Sequence, residues 1–407
     1  MKVGIFANTS LPESGGSYTF EQQVILSLFN LAGQSRHDFY IFNKSISLGE
    51  GFYSKNVNFI PLEENKILEF YNKFQDAFIF TMRKVIVPGS KFYISDLKTS
   101  LEKNIFNKQI DLMWFLTPEC LTMEVPYILT LWDLQHRLQP YFPEVSKEGE
   151  WNSREGTYSQ TLRRASFIIT GTNIGKSEIE KFYQVPEERI KVLPLPAPNF
   201  NQSNLDVNID VNILKKKYRI EKPYLFYPAQ FWPHKNHANL LKSVQILKDQ
   251  FNLVFDMVFT GSNKGNLNYV QNLSVELGIQ EQVKFLGFVS QADLIALYRH
   301  AFALTFVSFF GPDNIPPLEA FTLGCPVVAA KVAGSEEQLG DAALFIDPKD
   351  ARQIAEAVKL IHDNWEFRNT LIQKGFSHAS KWSPEDYLNG VFQILDEFQS
   401  IRKCWGN

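Results

Sequence analysis

The chain has 407 residues, more than one hydrophobic core usually supports, so two domains of roughly 200 residues with a cleft between them are expected. A composition of 44% hydrophobic and 21% charged residues is ordinary for a globular protein, and a formal net charge of −3 excludes a nucleic-acid binder built on a global positive field. Cys120, Cys325 and Cys404 share no metal-ligand spacing, and such sparse use fits a reducing compartment without disulfides, hence a cytoplasmic protein.

In chain order, "KVGIFAN" predicts a buried strand, "PESGGSYTF" a polar glycine-rich loop, and "TFEQQVILSLFNLA" a helix: the opening βα unit of an α/β domain. The first apolar run is too brief for a signal peptide, and no later stretch reaches the ~20 apolar residues of a membrane span. Strand-like runs follow in "HDFYIFN", "NVNFIPL", "DLMWFL", "VPYILTLWD", "SFIITGT" and "IKVLPLP", with helices at "SREGTYSQTLRRA" and "NIGKSEIEKFY". This alternation implies a largely parallel sheet covered on both faces, in a first domain over residues 1–200.

An amphipathic insertion near 64–108 breaks the rhythm: between 66 and 108 it is rich in Phe and Tyr and carries eight Lys/Arg against four Asp/Glu. Two readings stay open, a helix pair with solvated lysines, or a surface held against an anionic membrane leaflet or acidic acceptor. From Asn199 to about Tyr218 the text is polar and irregular and reads as a linker.

A second α/β series occupies 219–383, from the strand "YLFYPAQ" through "LVFDMVFTG", "VKFLGF", "FALTFV", "CPVVAAKV" and "AALFID", with helices between. The last helix, over 384–407, has Ser383 as N-cap and Glu385 and Asp386 in its first turn, where acidic groups suit the helix dipole.

Gly15 and Gly16 follow the first strand and precede a helix, where free N–H groups meet anions; an ordinary tight turn explains them equally. Lys235, in "YPAQFWPHKNH", stands after the first strand of the second domain, placed to neutralise a phosphate if the two loops face each other. In "GPDNIPPLEAF", Pro316 and Pro317 fit a helix start, Glu319 falls in the first turn, and the preceding backbone is free for a phosphate or sugar hydroxyl. Glu319 there either complements the dipole or accepts from paired sugar hydroxyls.

"YPAQFWPHKNH", "VKFLGFVSQADLIALYRHA" and "FGPDNIPPLEAFTLGCPVVAA" together resemble the C-terminal domain of the retaining glycosyltransferases of family four, and "GGSYTF", "TLWDLQHRLQPYFP" and "SFIITGTNIGKSEI" extend the resemblance over nearly the whole chain. The resemblance implies the GT-B fold: two Rossmann-like doubly wound domains facing across a cleft, with the C-terminal helix returning to the first. It implies a UDP- or GDP-sugar donor held by the second domain, a glycan or lipid-linked acceptor on the first, and no metal or other cofactor. Carried over by position, Lys235 meets the donor diphosphate and Glu319 the ribose. Asp313, Asn314 and Ile315 lie along phosphate and sugar, Gly15 and Gly16 close on the diphosphate, and Phe288 and Val289 border the base.

Three positions depart from the family pattern. Gly311 stands where its first motif glutamate is expected, Gln230 where an arginine precedes the lysine, and Trp132 where a histidine precedes the aspartate. Asp133 and His136 remain polar candidates on the acceptor side; a structural role suits His136 equally. The expected activity is metal-independent retaining transfer in surface polysaccharide or glycolipid assembly, at the inner face of the membrane if peripheral. Rivals are a catalytically silent nucleotide-sugar-binding subunit and a GT-B epimerase or phosphorylase.

Overall fold

The computed structural model describes residues 1–7, 15–43, 55–62, 91–200, 210–311 and 313–405, with the backbone alone for 91–97. The first domain runs β1 (Lys2–Phe6), α1 (Gly16–Leu31), β2 (Asp38–Asn43), β3 (Val57–Pro61), α2 (Lys91–Lys108), β4 (Leu112–Phe115), β5 (Tyr127–Thr130), α3 (Gln135–Leu138), α4 (Pro143–Ser146), α5 (Glu150–Arg164), β6 (Phe167–Thr170), α6 (Asn173–Tyr183) and β7 (Ile190–Val192). Its strands lie in the order β3-β2-β1-β4-β5-β6-β7, each pair parallel. Central strands such as "LMWF", "YILT" and "FIIT" are buried at every position, because helices cover both faces of a parallel sheet and leave no side for polar residues.

The second domain runs α7 (Val211–Tyr218), β8 (Tyr224–Pro228), α8 (His237–Phe251), β9 (Asp256–Thr260), α9 (Leu267–Glu276), β10 (Val283–Phe285), α10 (Gln291–His300), β11 (Ala303–Phe306), α11 (Ile315–Thr322), β12 (Val327–Ala330), α12 (Ser335–Leu339), β13 (Ala343–Ile346), α13 (Ala351–Asp363) and α14 (Trp365–Ala379). Its order is β10-β9-β8-β11-β12-β13, again parallel throughout. Both sheets reverse direction beside their first strand, between β1 and β4 and between β8 and β11. Such switch points open a crevice at the carboxyl ends of the strands, where ligands bind.

The final helix, α15 (Pro384–Arg402), starts from a reciprocal cap: Ser383 Oγ accepts from the Asp386 N–H at 3.1 Å and the Asp386 carboxylate accepts from the Ser383 N–H at 2.9 Å. It packs on the first domain, placing Tyr387, Leu388, Val391 and Leu395 in one apolar cluster with Phe20, Val24 and Leu28 of α1. The Arg402–Asp111 and Lys191–Glu397 ion pairs, at 3.1 and 2.8 Å, flank that contact.

Two expectations about elements need correction. The stretch read as a linker ends in α7, which Asp210 starts by accepting from the Asn212 N–H at 2.8 Å; residues 201–209 lie outside the described residues. One fully buried leucine, Leu214, anchors this helix, contributing about 2 kcal/mol, while Lys217 and Tyr218 hold Asp293 of α10 at 2.7 and 2.9 Å. A single anchor in a lysine-rich text gives no periodicity to read. Helix α14 was not anticipated for a similar reason: Leu371 and Gly375 are its buried residues, and Gly375 lies so close to the Phe321 ring that a Cβ there would sit 2.9 Å from it. Of the proposed amphipathic insertion, 63–90 lies outside the described residues and the remainder includes α2.

Candidate functional site

Loops leaving the carboxyl ends of β1, β5, β8 and β11 meet at the domain boundary around a cavity of about 260 Å³. Gly15, Gly16, Trp132 and Asp133 line it from the first domain; Gln230, His234, Lys235, Gly311, Asp313, Asn314 and Ile315 line it from the second. Most of the predicted donor-side residues are therefore brought together in one crevice.

The cationic wall is local in origin. Pro233 opens a tight turn over Pro233–Lys235 that Asn236 closes in the left-handed region, at φ 60°. The Asn236 amide donates to the carbonyls of Val307 and Pro348 at 3.0 and 2.7 Å, and the Tyr227 hydroxyl donates to that of Lys235 at 2.8 Å. The Lys235 ammonium then lies 5.3 Å from the Phe306 ring centroid. Burial draws its pKa down to about 8 while Asp133 and Glu144 oppose the fall, so the side chain stays cationic at neutral pH. Beside it, the Gln230 carbonyl oxygen accepts from the Trp232 indole N–H at 2.9 Å.

The segment from Gly311 to Ile315 is tied at both ends. Gly311 has φ 118°, and a Cβ there would run into the Asn314 side chain; no carboxylate-bearing residue fits this backbone. The Asn314 N–H, read as open to a ligand, donates instead to Gln338 Oε1 at 3.0 Å, and Gln338 Nε2 returns a bond to the Asn314 carbonyl at 2.9 Å. Ile315 belongs to the apolar cluster of the first domain, near Gly16. Asp313 crosses the boundary as well: its Oδ2 accepts from the Gly171 N–H at 3.2 Å, while Oδ1 is enclosed without a partner among the described residues. Burial raises the Asp313 pKa to about 7, and Glu337, Asp133 and Glu178 push the same way.

On the first-domain side, Gly15 precedes α1 at φ 74°, ψ −129°, a conformation glycine tolerates, and as N-cap residue it has no side chain to cap the helix. Asp133 Oδ1 accepts from the Gln135 N–H at 2.9 Å and faces Arg154 at 3.6 Å.

Four predicted residues lie elsewhere. His136 is completely buried among first-domain rings, with Nε2 3.3 Å from Glu155 and 3.1 Å from the Tyr183 hydroxyl; α3 turns it inward, so it does not line the cavity. Burial lowers its pKa. Glu319 falls in the second turn of α11, not the first, because the helix already begins at Ile315. It is buried, accepts from the Tyr298 hydroxyl at 2.6 Å, and has its pKa raised to about 7 by burial. Phe288 is 57% exposed and Val289 is buried, and neither lines the cavity.

Sequence reading missed the residues that hold the walls together. Glu144 of α4 accepts from the His234 N–H at 2.8 Å and from its ring Nδ1, while His234 stacks on Phe310 with centroids 4.0 Å apart. Glu337 of α12 accepts from the Asn173 N–H at 2.6 Å and from its side-chain amide at 2.7 Å, at the start of α6. Partners this far apart in sequence leave no local signal. Among the described residues, no three His, Cys, Asp or Glu side chains are grouped as a metal site.

Comparison with known proteins gives this crevice its relatives. Residues 210–378, about two fifths of the chain, match the model of the "Glycosyl transferases group 1". The chain is 27% identical over 247 residues to O-antigen chain mannosyltransferase B of Escherichia coli, covering 60% of this chain and 64% of the relative. It is 28% identical over 201 residues to O-antigen chain mannosyltransferase RfbU of Salmonella typhimurium, covering 49% and 52%. These matches span less than two thirds of either relative. The glycosyltransferase of Rickettsia africae superposes with a TM-score of 0.69 at 14% identity, covering 97% of this chain and 98% of that one. Anabaena HepE, solved with UDP and glucose, superposes with a TM-score of 0.67 at 16% identity, covering 98% and 100%. The chain therefore has the GT-B fold.

Proposed function

We propose that this protein is a retaining glycosyltransferase that moves a sugar from a UDP- or GDP-sugar donor to a hydroxyl of a glycan or lipid-linked acceptor, in cell-surface polysaccharide or glycolipid assembly. The observation that carries the reading is Lys235, a cation pinned at the switch point of the second domain and facing the first across the cavity. As the glycosidic bond breaks, negative charge grows on the departing diphosphate, and a fixed ammonium in a partly dry crevice stabilises that charge more than it stabilises the bound donor. The start of α1, where Gly15 offers no capping side chain, adds N–H groups with the same sign of potential.

The mannosyltransferases among the relatives make mannose the first sugar to test. Retention follows if the acceptor hydroxyl attacks the face the diphosphate leaves, with a phosphate oxygen taking the proton; no protein nucleophile and no metal enter this scheme. A lipid-linked acceptor would bring the protein to the inner face of the membrane.

A panel of UDP- and GDP-sugars with an acceptor extract tests the proposal, following nucleotide release and glycan product. Lys235→Ala is expected to lower turnover on the order of 100-fold or more. Equal rates in variant and parent would sink the assignment. Gly311, which excludes a carboxylate, and Gln230, which replaces a cation, favour a second reading as a silent binding subunit. Donor binding without turnover on every sugar would select it.

A further inference from the structure

Glu144 and Lys235 belong to different domains, yet the turn that carries Lys235 is held by Glu144. The Glu144 carboxylate takes both the backbone N–H and the ring Nδ1 of His234, the residue next to Lys235. Around that contact, Phe142 packs against Phe309 and Phe310 with centroids 5.6 and 5.1 Å apart, and Gln139 Nε2 donates to the Phe309 carbonyl at 2.8 Å. The α3–α4 segment thus grips the two second-domain loops that form the cationic wall. The Glu144 side chain is 5% exposed, and its Oε2 has no hydrogen-bond partner among the described residues.

A carboxylate so enclosed needs a positive charge nearby. His234 does not supply it: burial holds the imidazole pKa down to about 4, so the ring is neutral and donates a proton without cancelling the charge of Glu144. Although burial works against it, the bonds from His234 keep the Glu144 carboxyl below its ordinary range, hence ionised. The pair keeps one net negative charge beside Lys235.

We propose that Glu144 is a positioning residue: reaching from the first domain, it fixes the Lys235 turn of the second and sustains the ammonium charge, so that the cationic wall is complete only with the domains together. The inference rests on Lys235 facing the donor diphosphate. The groups that face Lys235 are Asp133 from the loop after β5, Glu144 from α4, and the neutral rings of His234, His237 and Phe306. The two carboxylates support its charge and burial opposes it. Asp133 already has Arg154 as a partner, whereas the Glu144 carboxylate is paired with the His234 ring, beside Lys235 in the chain.

The test uses the full chain as wild type, Glu144→Gln and Glu144→Asp. The Gln variant keeps an oxygen for the His234 N–H but loses the charge. Two midpoints are followed against pH: the alkaline limb of kcat/KM with the best donor, and the rate at which an amine-reactive reagent acylates Lys235, read by peptide mass spectrometry. Glu144→Gln is expected to move both midpoints to lower pH by at least about 0.5 unit, while Glu144→Asp stays with wild type. In a Lys235→Arg background, whose cation does not titrate, the Gln substitution leaves the limb in place. A uniform drop in rate with unmoved midpoints, or an Asp variant that shifts with the Gln variant, overturns the proposal. Acylation reports on Lys235 even if no donor is turned over, so failure of the transferase reading is distinguishable from failure of this one.

Discussion

The two domains bring opposite chemistry to the cleft. The second supplies a cation, Lys235, on a turn locked by its own Asn236 and Tyr227; the first supplies Asp133, Trp132 and a glycine pair, and much of its polar surface is spent on gripping its partner. Gly171 holds Asp313, Glu144 holds His234, and Asn173 holds Glu337. The contrast teaches that one wall is built to bind and the other to place the binding wall, so damage on each side should read out differently: affinity and charge on one, geometry on the other.

The sharpest way to break this comparison is Gly171→Ala. Gly171 has no positive φ, so its backbone accepts alanine, but the added Cβ would collide with the Asp313 carboxylate. The methyl group wedges the boundary while leaving Lys235 and its turn intact. Because displacements on the order of 1 Å at a reacting centre cost up to about 100-fold, turnover is expected to fall on the order of 10- to 100-fold with donor affinity changed much less. Loss of affinity in parallel with turnover would mean that the first domain takes part in binding the donor directly.

His136 offers the converse case. The sequence allows it a polar role on the acceptor side or a structural one, and its partners are Glu155 and Tyr183 inside the first domain. Glu155 also takes the Arg137 guanidinium, whose Nε lies 2.8 Å away, so the Nε2 side of the histidine sits in a structural network. His136→Ala should cost about 1–3 kcal/mol in denaturant unfolding by stranding those partners. Nucleotide binding, measured by calorimetry on the folded fraction, should be unchanged; a weakened affinity would return His136 to the site.

These two cases mark what the sequence makes legible. Strands such as β4 and β5 declare themselves because parallel-sheet burial writes an unbroken apolar run. Lys235 was readable because its position after the first strand of a domain is itself a statement about the sheet edge. His136 was open to either role because the first turn of a four-residue helix decides whether its side chain faces the cleft or the core, and no spacing rule reaches that choice. Glu319 lies one turn later than its spacing suggests for a related reason: beginning α11 at Ile315 rotates the carboxyl toward Tyr298. Glu144 was invisible, since its partner lies 90 residues away and on another domain.

The smallest expected effect concerns the proton on Asp313. Its pKa is raised from an ordinary 3.8 to about 7, first by burial, so the clasp favours the neutral form more than the unfolded chain does. The stabilisation linked to that proton is complete below about pH 4 and is lost as pH rises through about 7. Asp313→Asn keeps an oxygen for the Gly171 N–H and removes the titration. Unfolding free energies of both proteins, measured between pH 5 and 8, should therefore drift apart in favour of the variant as pH rises, by on the order of 1 kcal/mol. Glu178 and Glu319, also raised to about 7, titrate in both proteins and largely cancel in the difference. A difference that stays flat with pH would mean that Asp313 is ionised throughout and that its charge, not its proton, holds the clasp.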